Sequence, residues 1–126
     1  MMKKIVKTDK APSAIGPYSQ AVIINNTLYC SGQIALDPQT MEMVGDSVED
    51  QTKQVMINIE QILRAAGSNF SKVVKCSIFL DNMDDFKIVN EIYGNYFKEN
   101  PPARETVEVS TLPKNAKVEI SCIAFI

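Results

Sequence analysis

The chain has no histidine and no tryptophan among its 126 residues, and only two arginines, Arg64 and Arg104. Without an imidazole, Ser-His-Asp triads, histidine-ligated metal hydrolases and histidine acid–base catalysis all drop out, so any catalyst here works with carboxylate, guanidinium or backbone groups. Cysteine is sparse too: Cys30, Cys76 and Cys122 are far apart and form no C-x-x-C pair. A zinc site is excluded on that pattern, and the three read as small buried apolar residues in a reducing compartment, with no chemical role. No metal is expected.

Long hydrophobic runs are missing as well. The longest, such as Ala21–Ile24 and residues 78–80, fall far short of the ~20 residues that cross a bilayer. Lys3 and Lys4 are not followed by an apolar stretch before Asp9 and Lys10, so no secretory signal is read, and the expected address is the cytoplasm. Nor is there an excess of positive charge. Lys plus Arg number 13 against 15 for Asp plus Glu, for a net charge of -2 and a pI near 5.1. Scattered lysines cannot track a phosphate backbone, which argues against DNA or RNA as ligand. The sequence also lacks Gly-x-Gly-x-x-Gly and Gly-Lys-Ser/Thr, so no nucleotide cofactor has a motif to rest on.

What is present is a 45% apolar composition at a length typical of one domain, spanning residues 1–126. A chain of this size buries roughly two-thirds of its unfolded surface and needs no metal or disulfide to fold. Residues 5–8 read as a short strand, and 11–18, broken by Pro12, Gly16 and Pro17, as an ordered loop. Two apolar runs, 21–24 and 27–31, flank Asn25-Asn26, a pair that tolerates positive φ, and so form a β-hairpin. Beyond Gly32 and Pro38, residues 42–44 return as a short edge strand. Ser47 with Asp50 resembles a capping box, after which Val48, Thr52, Val55, Ile59, Ile62, Leu63 and Ala66 recur at helical spacing until Gly67 stops the helix.

Residues 73–80 alternate as a core strand with Val74, Cys76, Ile78 and Leu80 on one face. Asn82 is the N-cap of a second helix, whose inward stripe is Phe86, Val89, Tyr93, Tyr96 and Phe97 and which ends before Pro101-Pro102. Residues 105–109 and 118–125 make a closing pair of strands around a turn-rich segment. The order β-β-β-(β)-α-β-α-β-β predicts an α/β (α+β) fold: one mixed sheet with two helices packed on one face. The other face then needs a cover, which points to an oligomer whose sheets meet.

Two side chains stand out chemically. Arg104 follows Pro101-Pro102-Ala103 and borders a strand, so its backbone is stiff, and its planar fork suits a small carboxylate. The same position also suits an ordinary salt bridge at a strand start. Glu119 lies between Val118 and Ile120 and points to the opposite sheet face from them. There it serves equally as a base that takes a proton from water or as a solvated strand residue. Gly16-Pro17-Tyr18 and Ser31-Gly32-Gln33 allow close backbone approach to a ligand, and turn geometry alone accounts for them equally well.

Taken together, Ala14-Ile15-Gly16-Pro17-Tyr18-Ser19-Gln20-Ala21, Ser31-Gly32-Gln33-Ile34, Pro102-Ala103-Arg104 and Leu112-Pro113-Lys114 followed by Val118-Glu119-Ile120 resemble the Rid (YjgF-like) family of reactive-intermediate deaminases over essentially the whole chain. The resemblance implies a chorismate-mutase-like fold and a homotrimer with a ligand cleft at each subunit boundary. It implies cofactor-free hydrolysis of enamine and imine acids such as 2-aminoacrylate and 2-aminocrotonate to 2-keto acids and ammonia. By position, Arg104 would clamp the substrate carboxylate and Glu119 would position or activate water. The backbone at Thr106 would bond the ligand, and Tyr18, Ser31, Gly32 and Asn90 would line the cleft. Many relatives carry Cys where this chain has Thr106, and a small Ser where it has Glu105; strand alternation turns Glu105 away from the clamp. Two other readings compete: a non-catalytic protein that binds keto acids or other small metabolites in the same cleft, and a nuclease or translational inhibitor, which the acidic pI and missing histidine disfavour.

Overall fold

The computed structural model describes residues 2–126, arranged as β1 (Lys4–Val6), β2 (Ala21–Ile24), β3 (Thr27–Gln33), α1 (Val48–Ala65), β4 (Val73–Leu80), α2 (Phe86–Gly94), β5 (Ala103–Glu108) and β6 (Val118–Phe125). The hairpin forms as its sequence demands. Asn25 and Asn26 take φ of 51° and 62°, the left-handed pair that matches strand twist, and Ile24 faces Thr27 across the turn. α1 begins where Ser47 Oγ accepts the Asp50 N–H at 3.0 Å and ends against Gly67 at φ 77°.

All six strands form one sheet in the order β1-β2-β3-β6-β4-β5, antiparallel except for β4 and β5. A parallel neighbour requires a crossover, and α2 supplies it. The mixed sheet with two helices is as expected, whereas the closing pair is not. β6 inserts between β3 and β4, and β5 pairs with β4 instead of β6. Pairing with two long neighbours gives β6 ladder bonds on both edges, which a terminal hairpin would forgo.

Several boundaries also differ from expectation. Val74 is not on the core face but 47% exposed, because the register slips between Val73 and Lys75 and the extra residue breaks the alternation. Residues 42–44 reduce to a single bridge between Leu36 and Met43. Asn82 caps a single 3₁₀ turn, Met83–Asp85, that leads into α2. β3 runs on through Gly32 to Gln33, with an irregularity between Cys30 and Gln33 where β3 needs one residue more than β6. That bulge matters below.

The helices cover the face that carries Leu28, Cys30, Cys76, Ile78, Leu80, Ile120 and Cys122, which pack with Val55, Ile59, Ile62, Leu63, Val89 and Tyr93. Cys30, Cys122 and Cys76 face one another across three adjacent strands as free, buried thiols. Burial pushes Cys76 up to about 12, and a hydrogen bond with Cys30, then burial, raises Cys122, so both stay protonated and unreactive. The opposite face stays open, with Tyr29, Val107 and Phe125 exposed on it. No helix among the described residues is long and apolar enough to cross a membrane.

One turn carries removable strain. Met41 sits at φ 59° where its N–H meets the Asp37 carbonyl at 2.8 Å, although its Cβ disfavours that region. Met41→Gly is expected to raise stability by roughly 0.5–1 kcal/mol, the left-handed penalty less the added chain entropy of glycine. A denaturant titration with an unchanged or lower midpoint would remove the strain argument.

Candidate active site

Arg104 lies in β5 opposite Cys76 of β4, and neighbouring residues in register project to the same side, so its side chain is on the helix-covered face. There α2 meets it. Phe86, Asn90 and Tyr93 fall at i, i+4 and i+7, one stripe of the helix. Asn90 Oδ1 accepts from Arg104 Nη1 at 2.6 Å, and the guanidinium carbon stands 5.5 Å and 5.1 Å from the Phe86 and Tyr93 ring centroids. Stacking on rings and a short hydrogen bond fix the plane of the fork. Among the described residues no carboxylate pairs with Arg104, so the salt-bridge alternative does not hold. Its remaining N–H donors border a cavity of about 390 Å³ walled by Gly94, Phe97, Pro101 and Pro102.

Thr106, two residues on, shares the Arg104 face opposite Ile78, and its buried hydroxyl has no partner among the described residues. Tyr93 is 4% exposed and its hydroxyl, packed near the Cys76 thiol, likewise lacks a hydrogen bond of good geometry. Glu105 points the other way, as alternation requires. It accepts from the Ser77 hydroxyl and pairs with Lys75 at 3.2 Å, and these contacts hold its carboxyl below the usual range. It therefore does not compete for an anion beside Arg104.

Glu119 belongs to a second cluster. It faces Phe79 across β4 on the open side of the sheet, while its neighbours Val118 and Ile120 are buried. Its carboxylate rests over the β3 bulge. A Cβ at Gly32 would stand 2.5 Å from Glu119 Oε2 and 2.8 Å from the carboxyl carbon, so only glycine leaves the carboxylate its place. Glu119 has no hydrogen-bond or ion-pair partner among the described residues, and burial raises it above the ordinary carboxylate value. With Tyr18, Ser31 and Gly32 it lines a cavity of about 480 Å³ whose other walls include Ile34 and Pro113. Ser31 is tied down by its hydroxyl, which donates to the Ser19 carbonyl at 2.6 Å.

Gly32→Ala is expected to leave the fold intact, since Gly32 has no left-handed φ, while pushing the Glu119 carboxylate aside. The measurable result is a drop in turnover of about tenfold or more with an unchanged melting temperature. Full turnover in that variant would show that the close approach is incidental.

The seven candidates thus divide in two. Arg104, Asn90 and Thr106 gather on the helix side of edge strand β5, whereas Glu119, Tyr18, Ser31 and Gly32 gather on the open side around β6 and β3. β4 separates β6 from β5, so the two clusters stand two strand spacings apart, about 10 Å across the sheet, with Glu119 level with Val107 and not with Arg104, and on opposite faces of it. No single small acid touches both within one chain. Phe86 and Tyr93 belong to the core stripe that the sequence predicts, and their second role, as the seat of Arg104, becomes visible in the structure. The available signal was Asn90, a polar residue on their otherwise apolar stripe.

The sequence model of the family described as Endoribonuclease L-PSP matches residues 8–126. Reactive Intermediate Deaminase A, chloroplastic, of Arabidopsis thaliana is 53% identical over 122 residues, which cover 97% of this chain and 65% of that longer protein. The 2-iminobutanoate/2-iminopropanoate deaminase of Homo sapiens is 46% identical over 124 residues, 98% of this chain and 90% of its own. Among solved structures, YyfA of Yersinia pestis, from the conserved Rid protein family, superposes with a TM-score of 0.96 at 50% identity, covering 99% of this chain and all of the other.

Proposed function

Because this chain belongs to the Rid (YjgF-like) family, whose model is described as Endoribonuclease L-PSP, we propose that it hydrolyses reactive 2-imino and 2-enamino acids to 2-keto acids and ammonia. The observation that carries this reading is the Arg104 guanidinium, held by Asn90 and two rings and paired with no carboxylate among the described residues. Such a fork is preorganised for a small carboxylate and keeps N–H donors free to bind one.

The chemistry asks little beyond this. An enamine acid tautomerises to its imine, whose carbon is already electrophilic. Water adds to that carbon and one of its protons passes to nitrogen, giving the carbinolamine; the hydroxyl proton then follows to nitrogen as the C=O bond forms and the C–N bond breaks, and keto acid and ammonia leave. Arg104 fixes the acid group. Glu119 takes the proton from water and returns it to the departing nitrogen, a role suited to a carboxyl whose burial raises its proton affinity. Tyr18, Ser31 and Gly32 wall the water's side, Asn90 orients the fork, and the Thr106 backbone bonds the ligand from the edge strand. No cofactor enters the reaction.

Since Arg104 and Glu119 lie on opposite faces of one sheet, the complete site takes Arg104 from one protomer and Glu119 from another, as in a homotrimer with three clefts between subunits. The exposed Tyr29, Val107 and Phe125 on the uncovered face support such packing. The cytoplasm fits three unpaired thiols. The test is 2-aminocrotonate generated in situ: keto acid is expected to appear faster with the protein than in buffer, and equal rates remove the deaminase. Sedimentation that finds only monomer at assay concentration removes the shared cleft.

A further inference from the structure

α1 carries two amides where an amphipathic helix wants apolar side chains. Asn58 is 0% exposed and Gln51, seven residues earlier and so on the same face, is 4% exposed. Burying an amide costs free energy unless its groups are hydrogen-bonded, and asparagine is a poor residue for a helix interior. Neither amide spends its bonds within its own turn of backbone. Asn58 Nδ2 donates to the carbonyls of Ile34 at 3.2 Å and Leu36 at 3.0 Å, while its Oδ1 accepts from Gln54 at 2.9 Å. Gln51 Oε1 accepts the Lys117 N–H at 2.9 Å, and its Nε2 donates to the Gly45 carbonyl at 3.4 Å.

Those anchor points have a common meaning. Ile34 is two residues past Gly32, on the chain leaving the β3 bulge, and Lys117 is two residues before Glu119, on the chain entering β6. Gly32 and Glu119 approach each other in the cavity so closely that a Cβ at Gly32 would not fit, and at a bulge the sheet ladder does not by itself set the spacing. We propose that Asn58 and Gln51 are positioning residues: one rigid helix grips both segments from beneath and sets Gly32 and the Glu119 carboxylate in their working relation. Both amides are sealed from solvent, so they act through Glu119 and never touch substrate.

The inference rests on the deaminase reading for its kinetic arm only. Asn58→Leu and Gln51→Met remove the bonds at similar volume, and Val55→Ala, buried on α1 between them, damages packing while leaving every one of these hydrogen bonds in place. In the full-length protein, kcat is expected to fall at least tenfold in both amide variants, with KM and the affinity for 2-oxobutanoate kept within threefold. Val55→Ala is expected to lose stability and to keep kcat within twofold. A carboxyl NMR titration of Glu119 gives a readout that does not depend on activity. Its midpoint should move down toward the ordinary value in the amide variants, as the loosened cavity admits water, and stay put in Val55→Ala. Should Asn58→Leu fail to fold, Gln51→Met decides. The proposal is overturned if kcat and the Glu119 midpoint follow melting temperature alike in all three, or if the amide variants match wild type. Absence of hydrolysis by wild type counts against the deaminase and leaves the titration to judge the positioning.

Discussion

Arg104→Ala is expected to lower kcat/KM on 2-aminocrotonate by a hundred- to a thousand-fold, about 3–4 kcal/mol, the scale of a bidentate charge-assisted contact. Keto-acid affinity should fall with it, because the fork binds the carboxylate in substrate and product alike. Stability should barely change. The side chain is exposed and its attachments are one hydrogen bond and two ring faces, so its removal leaves no buried charge behind. Arg104→Lys is expected to recover little of the loss, since an ammonium has neither the planar fork nor the flat faces that rest on Phe86 and Tyr93. Calorimetry with 2-oxobutanoate beside the kinetic assay separates binding from chemistry. Near wild-type affinity in Arg104→Ala would place the carboxylate elsewhere.

Glu119→Gln carries the second large effect, and its signature differs. The acid group remains on Arg104, so KM should hold while kcat falls by roughly a hundred- to ten-thousand-fold, the range of a lost general acid–base group. Burial raises the Glu119 carboxyl above its ordinary value. A base is active when deprotonated, so the acid limb of the wild-type rate profile should lie above the usual carboxylate range and vanish in the glutamine variant.

The same shift has a stability consequence of opposite sense. Between the ordinary carboxylate value and the raised one, the folded chain holds a proton that the unfolded chain has released. Stability therefore declines as pH rises through that window and stays lower above it. Glu119→Gln removes the cost of burying a charge, so near neutral pH it should melt higher than wild type while turning over far more slowly. A variant that loses turnover and stability together would make Glu119 a structural residue.

The absence of histidine, the hairpin at Asn25-Asn26, the limits of α1 and the aromatic stripe of α2 follow from the sequence alone, because each depends on residue chemistry or on neighbours within one or two turns of chain. Arg104 and Glu119 were legible as chemical candidates, and the family motifs tied them to one reaction. Their placement on opposite sheet faces was not legible. It depends on β6 lying between β3 and β4 and on β5 joining β4 in parallel, pairings made between segments far apart in the chain. The bulges belong to the same level: Val74 turns outward and Gly32 meets Glu119 only because two strands of unequal count are bonded together. A local window records which residues suit a strand but not which strand will be its neighbour, and that neighbour decides which side chains share a face.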